Sequence, residues 1–241
     1  MSKRYYHPAP WKQHEIELEG PEAHHLIHVM RAKVGDELEL FDGAGGVAPA
    51  TIINLKRKTV SLEIDLSCKI VTEEADFKIV LATAVPKGDR FRWLVEKATE
   101  LGVSELIPLN MERSSVAPRE SKIDKHRQYI IEACKQSGRN HLMRLQDMQS
   151  FSDFCKSNSE QNRKSLLGDL NSDFDSFEEL QSWGKSTTVF TVVVGPEGGL
   201  SDLEFEIATQ CDMRRWQVGS HILRTETAGL AMATLANLLR P

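Results

Sequence analysis

The chain has 241 residues, 40% of them hydrophobic and 27% charged, with a formal net charge of −5, as in an ordinary water-soluble globular protein of one large or two smaller domains. No run is apolar enough to cross a bilayer, and the leading MSKRYYHPAPW lacks the apolar core of a signal peptide, so a cytoplasmic location is expected. Cys68, Cys134, Cys155 and Cys211 lie far apart and form no C-x-x-C pair, which argues against a zinc site and a disulfide framework.

The first 70 or so residues read as β-rich. A short helix near PEAHHLIHVMR comes first, with Pro21 suited to its first turn. His24 and His28 stand one helical turn apart, but no carboxylate or thiol completes a ligand set, so no metal is expected. DELELF alternates with period two, DGAGG is a turn, and VAPATIINL and TVSLEIDL continue as strands of a small barrel. The rhythm changes near Val71, which gives an expected first domain over 1–72 and a second over 73–241.

The second segment alternates strands with helices. KIVLATAV is an apolar run of strand length. KGDRFRWLVEKATELG places Phe91, Leu94, Val95, Ala98 and Leu101 at helical spacing, with Gly102 as the stop. SELIPL is a strand. SKIDKHRQYIIEACKQSG is a helix, with Ile123, Ile130, Ala133, Cys134 and Ser137 on one face and Gly138 at its end. The polar CKSNSEQNRK is expected as an exposed connection. SLLG, TTVFTVVV and RWQVG are further strands, giving an α/β domain with a mostly parallel sheet covered on both faces. Residues 87–144 hold 12 Lys+Arg against 8 Asp+Glu, and residues 145–185 hold 4 against 8. A local basic patch for phosphates is therefore compatible with the acidic total, because screening limits a field to about 10 Å.

Two loops stand out. TTVFTVVV is too apolar for a sheet edge, so the GPEGG that follows it leaves the sheet interior, where α/β proteins bind ligands. Its glycines let backbone approach a ligand closely. Ser201 and Glu204 have the spacing of a capping box, so a helix starts near Asp202 and its first amides are partly occupied. The loop has neither P-loop nor G-x-G-x-x-G spacing. The second loop, VGSHILRTETA, leaves a strand through Gly219 and enters a helix opened by Thr225 or Thr227. Together they are suited to a flat heteroaromatic held between backbone and apolar side chains. In the final helix Ala228, Gly229, Leu230, Ala231, Met232, Ala233, Leu235, Ala236, Leu238 and Leu239 cover nearly every face. Such a helix needs burial on both sides, against its own sheet and a second subunit, or inside a monomer.

EACKQSGRN, VVVGPEGGLSDLE and VGSHILRTETA, with HPAPW and HHLIHVMRAKVGDELELFDG ahead of them in order, resemble the SPOUT methyltransferases, in particular those acting on the small-subunit ribosomal RNA. The resemblance covers nearly the whole chain. It implies S-adenosylmethionine as cofactor, N3 of a uridine in 16S rRNA of the 30S subunit as target, a PUA-like N-terminal barrel for RNA, a C-terminal trefoil knot and a homodimer. The cofactor positions it implies are Leu167 and Gly168; Val194, Gly195, Pro196, Glu197, Gly198 and Gly199; and Val218, Gly219, Ile222, Leu223 and Thr225. Relatives often carry a proline and an arginine where this chain has Ser220 and His221, and differ around Gly168 and Asp169.

Methylation at N3 requires an unpaired or extruded base, an acceptor for its proton and donors for its oxygens. Arg224, Glu226 and Asn140 are the catalytic candidates, with Glu197 as the other possible base. Arg31, Arg113 (in ERSSV) and Arg139 are the RNA-contacting candidates. The rival readings are a non-catalytic RNA-binding module and a SPOUT enzyme acting on tRNA or on 23S rRNA ribose.

Overall fold

The structure is a computed structural model that describes residues 3–8, 10–114, 123–185 and 187–240. Residue 9 of HPAPW, residues 115–116 of ERSSV and residues 121–122 heading the expected third helix lie outside them. The chain divides into two compact units, Met1–Glu74 with Cys134–Leu142, and Ala75–Ala133 with Met143–Pro241.

The first unit contains β1 (Arg4–Tyr6), β2 (Glu15–Leu18), α1 (Gly20–His24), β3 (Glu37–Phe41), β4 (Gly46–Leu55), β5 (Val60–Ile64) and β6 (Ile70–Val71). Its sheet runs β1-β3-β4-β5-β2 with β6 on β4. β1 and β3 pair in parallel, and β3, β4, β5 and β2 pair antiparallel. Alternation decides the faces: Leu38 and Leu40 point into a core with Ala48, Ala50, Ile52, Val60, Leu62 and Ile64, while Glu37 and Glu39 point out. The DGAGG turn is held by Asp42, whose Oδ1 accepts from the amides of Ala44 and Gly46 at 2.8 Å each. Gly45 adopts φ +101°, and a Cβ there would lie 2.2 Å from the Thr72 carbonyl, so only glycine fits. α1 runs on through a π turn over His25–Val29, closed by Arg31 at φ +51°. β1 and β2 were not expected. They have only 3 and 4 residues, too few to show a period.

The second unit contains β7 (Lys78–Ala84), α2 (Asp89–Glu100), β8 (Glu105–Asn110), α3 (Ile123–Ser137, counted with the first unit from Cys134 on), β9 (Arg144–Leu145), β10 (Gln149–Ser150), α4 (Phe151–Glu160), β11 (Lys164–Gly168), α5 (Phe177–Gly184), β12 (Val189–Val194), α6 (Asp202–Gln210), β13 (Arg214–Trp216) and α7 (Thr225–Leu238). The sheet order is β10-β8-β7-β12-β11-β13, with β9 on β8, and the neighbours are parallel. Val80, Ala82, Ile107, Leu167 and Val193 form one core with Phe151, Phe154 and Cys155 of α4 and Phe205 and Ala208 of α6. α2 and α7 pack on the side to which Leu81 points. A Cβ on Gly229 would lie 3.2 Å from Leu94 and 3.7 Å from Leu81, so the missing side chain sets how closely α7 seats.

Several expectations need correction. CKSNSEQNRK is not an exposed connection, since its first half continues α4. Phe151, Phe154, Cys155 and Asn158 recur at helical spacing and are buried, and Ser150 caps the helix. The polar Asn158 hid that stripe; its amide is satisfied inside by Ser165 and Thr191. RWQVG is strand only as far as Trp216, so Gly219 lies in the loop beyond it. Neither threonine caps α7. Arg224 occupies the cap, without a side-chain bond, and Thr225 is the first helical residue. On α3 Lys135 is buried and Ser137 is exposed. α7 is buried on one face only within the chain: Gly229, Met232, Ala233 and Ala236 are covered, while Leu238 is 61% exposed.

Candidate cofactor cleft and its charged edge

The carboxyl ends of β11, β12 and β13 open into three loops that surround a cleft of about 440 Å³, within the range of small-molecule sites. Gly168 to Asn171 form one wall, Val194 to Leu200 the second, and Val218, Gly219 and His221 to Leu223 the third, with Thr225 and Ala228 of α7 below. Among the described residues nothing lies within 4 Å of where a Cβ would stand on Gly199 or Gly219, so both leave space at the cleft.

Side chains brace these loops from behind. The capping box on α6 is complete: Ser201 Oγ accepts from Glu204 N, and Glu204 Oε2 accepts from Ser201 N at 2.8 Å. Glu204 Oε1 also accepts from Glu112 N at 2.8 Å, and Arg113 Nη1 donates to the Gly198 carbonyl at 3.0 Å. Thr225 Oγ1 donates to the Gly195 carbonyl at 3.3 Å, tying the GPEGG turn to α7. The third wall is anchored through Asp173, which accepts from Arg215 Nη2 at 2.6 Å, Nε at 3.0 Å and N at 2.8 Å. The Arg215 hydrogen bonds hold the Asp173 carboxyl below the usual carboxylate range. A depressed folded-state value means the contribution to stability is present above the unfolded carboxyl's pKa, about 3.9, and is lost as pH falls through the folded one. Asp173→Asn is therefore expected to lower stability near neutrality and to flatten its fall below about pH 4. Chemical denaturation across pH checks this, and an equally steep acid loss in the variant would contradict it.

Of the residues singled out from sequence, Gly168, Val194 to Gly199, Val218, Gly219, Ile222, Leu223 and Thr225 line the cleft. Leu167 does not; its side chain is part of the core beneath Gly168. Arg224 is exposed at the cap of α7. Glu226, one residue past Thr225, is only 5% exposed, and its Oε2 has no hydrogen-bond partner among the described residues. Arg139 and Asn140 belong to the first unit. There Arg4 donates to the carbonyls of Cys134 and Arg139 at 3.2 and 3.3 Å and to Asn140 Oδ1, and Asn140 Nδ2 donates to Thr72 at 3.2 Å. Beside them Lys135 meets Glu22 at 3.1 Å in a buried ion pair. Cys134 to Asn140 are thus in large part bonded within the first unit. Arg31 is exposed on the same unit.

Sequence reasoning missed Asp169, Asn171 and His221 in the lining, and missed Arg90. Arg90 Nη1 lies 3.5 Å from Glu197 Oε1 and 3.9 Å from Glu226 Oε1. The signal for it was present: VPKGDR leaves β7 through a proline and a glycine into a helix, the same punctuation as the two recognised loops. Among the described residues no three His, Cys, Asp or Glu side chains converge as a metal ligand set, and no helix is long and apolar enough to cross a membrane.

A parallel α/β sheet with a glycine-backed cleft at its carboxyl edge, joined to a small barrel, defines the class. Residues 73–237 match the family model of the RNA methyltransferase domain, and residues 18–65 match that of the RNA methyltransferase PUA domain. The ribosomal RNA small subunit methyltransferase E of Bacillus subtilis is 31% identical, covering 95% of this chain and 91% of its own length; that of Synechocystis is 30% identical, covering 93% and 73%. Among solved structures, a methyltransferase from Legionella pneumophila in complex with SAM aligns at TM-score 0.86 and 28% identity, covering 100% and 98%. Ribosomal RNA small subunit methyltransferase E of Neisseria gonorrhoeae, bound to S-adenosyl methionine, aligns at TM-score 0.84 and 25% identity, covering 100% and 98%. The chain belongs to the ribosomal RNA small subunit methyltransferase E family of RNA methyltransferases.

Proposed function

We propose that this chain methylates N3 of a uridine in the 16S rRNA of the small ribosomal subunit, with S-adenosylmethionine as donor, acting as a cytoplasmic homodimer. The observation that carries this reading is the glycine-backed cleft, about 440 Å³ in volume, on a chain that its family relatives match nearly end to end. Its size and lining suit the cofactor. Gly199 and Gly219 leave room beside the backbone, Val218, Ile222 and Leu223 offer apolar walls, and Thr225 holds the loop in place. When bound, S-adenosylmethionine supplies a methyl carbon activated on a sulfonium.

The chain's own residues do the rest. Uridine N3 lies on the pairing edge, so the base must be unpaired. It loses its proton as it gains the methyl group, and Glu226 is the acceptor. Arg224 offers guanidinium donors to the base oxygens without titrating. Arg31 and Arg139 contact the RNA backbone, and Asn140 shapes the segment that presents Arg139. Arg113 holds the GPEGG turn and lies at the RNA-facing edge of that loop. The half-covered α7, with Leu238 exposed, supports pairing with a second copy, and a C-terminal knot is what the family likeness implies.

Calorimetric titration of S-adenosylmethionine and a methyl-transfer assay on 30S subunits lacking the modification test this together. One saturable binding event and a single N3-methyluridine are expected. No heat with the donor or its demethylated product would end the enzymatic reading, and a methyl group mapped to ribose or to tRNA would replace the target.

A further inference from the structure

We infer that Arg90 is a positioning residue for methyl transfer: shared between Glu197 on the cofactor loop and Glu226 at the start of α7, it faces Glu226 Oε1 and leaves Oε2 without a partner among the described residues, as an acceptor for the imide N–H of the target base. This rests on the reading of Glu226 as the proton acceptor.

The starting point is a contrast between two carboxylates of nearly equal burial. Glu204 is 6% exposed and Glu226 5%. Both oxygens of Glu204 accept backbone amides, from Ser201 and from Glu112. Glu226 Oε1 faces Arg90 at 3.9 Å, and Oε2, equally out of solvent, accepts from none of the described residues. Leaving a buried acceptor unmet costs about 1–3 kcal/mol, more when it is charged. A fold that satisfies one buried carboxylate completely and leaves its neighbour half satisfied has kept an acceptor for a donor from outside the chain. Thr225, just before Glu226, and Ala228, two residues after it, line the cleft, with Glu226 set behind that lining. The first turn of a helix also favours a negative charge.

Arg90 is the cation that makes this arrangement tolerable. Its distances of 3.5 and 3.9 Å to the two glutamates exceed hydrogen-bonding range, so its action is coulombic and is divided between them. α7 packs against α2, β7 and β12. From α2 the charged group facing Glu226 is Arg90, with Lys87 and Asp89 beside it in sequence. The loop after β12 brings Glu197, and the cap of α7 brings Arg224. β12 carries no titratable side chain, and β7 only Lys78 at its first residue. In the reaction the N3–H bond breaks, its proton goes to Glu226 Oε2, the N3–methyl bond forms, and the electron pair of the broken S–C bond stays on sulfur.

The test uses the full-length protein with saturating S-adenosylmethionine on 30S subunits lacking the modification, with kcat and KM measured. Calorimetry and thermal melting serve as the folding check. In Arg90→Gln, KM and cofactor affinity are expected to hold within about twofold while kcat falls about tenfold. Arg90→Lys, which keeps the charge, should restore most of kcat. If Arg90→Gln fails to fold, Arg90→Ala at this half-exposed position takes its place. Wild-type kcat in the folded neutral variant, while Glu226→Gln abolishes turnover, would overturn the role of Arg90 alone. Full turnover by Glu226→Gln would remove the acceptor reading beneath it.

Discussion

Glu226→Gln is expected to lower kcat by about 10²–10⁴-fold, the usual range for losing a general base, with cofactor affinity unchanged. Glutamine matches glutamate in volume, so the seat under α7 is preserved. It cannot accept a proton. Depending on how the amide turns, it also presents either a donor or a weaker acceptor where the structure now has an unpartnered carboxylate oxygen. Single-turnover transfer on subunits lacking the modification reads the chemical step, and calorimetry with S-adenosylmethionine reads the cleft separately. Glu197, the other acidic candidate, lines the cleft and its side chain is 44% exposed, so water can take a proton in its place. A Glu226→Gln enzyme at wild-type rate and pH profile would return the proton to solvent.

Gly219→Leu is expected to weaken S-adenosylmethionine by about 100-fold or more, close to 3 kcal/mol, with little change in melting temperature. Among the described residues nothing lies within 4 Å of the Cβ position and the backbone there is outside the left-handed region, so the folded chain accepts the side chain. What it fills is the cleft. Gly195→Leu is the instructive companion, because its Cβ would lie 2.6 Å from Leu200 Cδ1 and must displace that buried side chain. That variant should lose affinity and melting temperature together. Wild-type affinity in Gly219→Leu would show that the third wall does not touch the ligand.

Much of this site was legible before any coordinates. The GPEGG exit was read correctly, and so was the Ser201–Glu204 capping box, while the second exit was placed in the right segment but with its strand run on to Gly219 instead of ending at Trp216. Each is written within about ten residues, as a period, a cap or a breaker. Failures occurred where a polar residue does a core residue's work. Asn158 interrupts the apolar stripe of α4, and only its bonds to Ser165 and Thr191 explain why it belongs there. Asn140, a catalytic candidate from its place in a motif, has side-chain bonds to Arg4 and Thr72, partners that no local pattern names and that bear on its position, not on its role.

Taken alone, the amino-acid order determined the alternation of strands and helices, the central place of β12, the loops through which the chain leaves the sheet and the family to which those loops belong. Only the tertiary structure decided which of those loops share a cleft, that Arg215 fastens the third wall through Asp173, and that Arg90 stands between Glu197 and Glu226. The physical reason is the same in each case. Turn chemistry and periodicity act between near neighbours along the chain. Which side chains from β7, β11, β12 and β13 meet depends on strand order, β7-β12-β11-β13, and that order is set by burying two helical layers against one sheet.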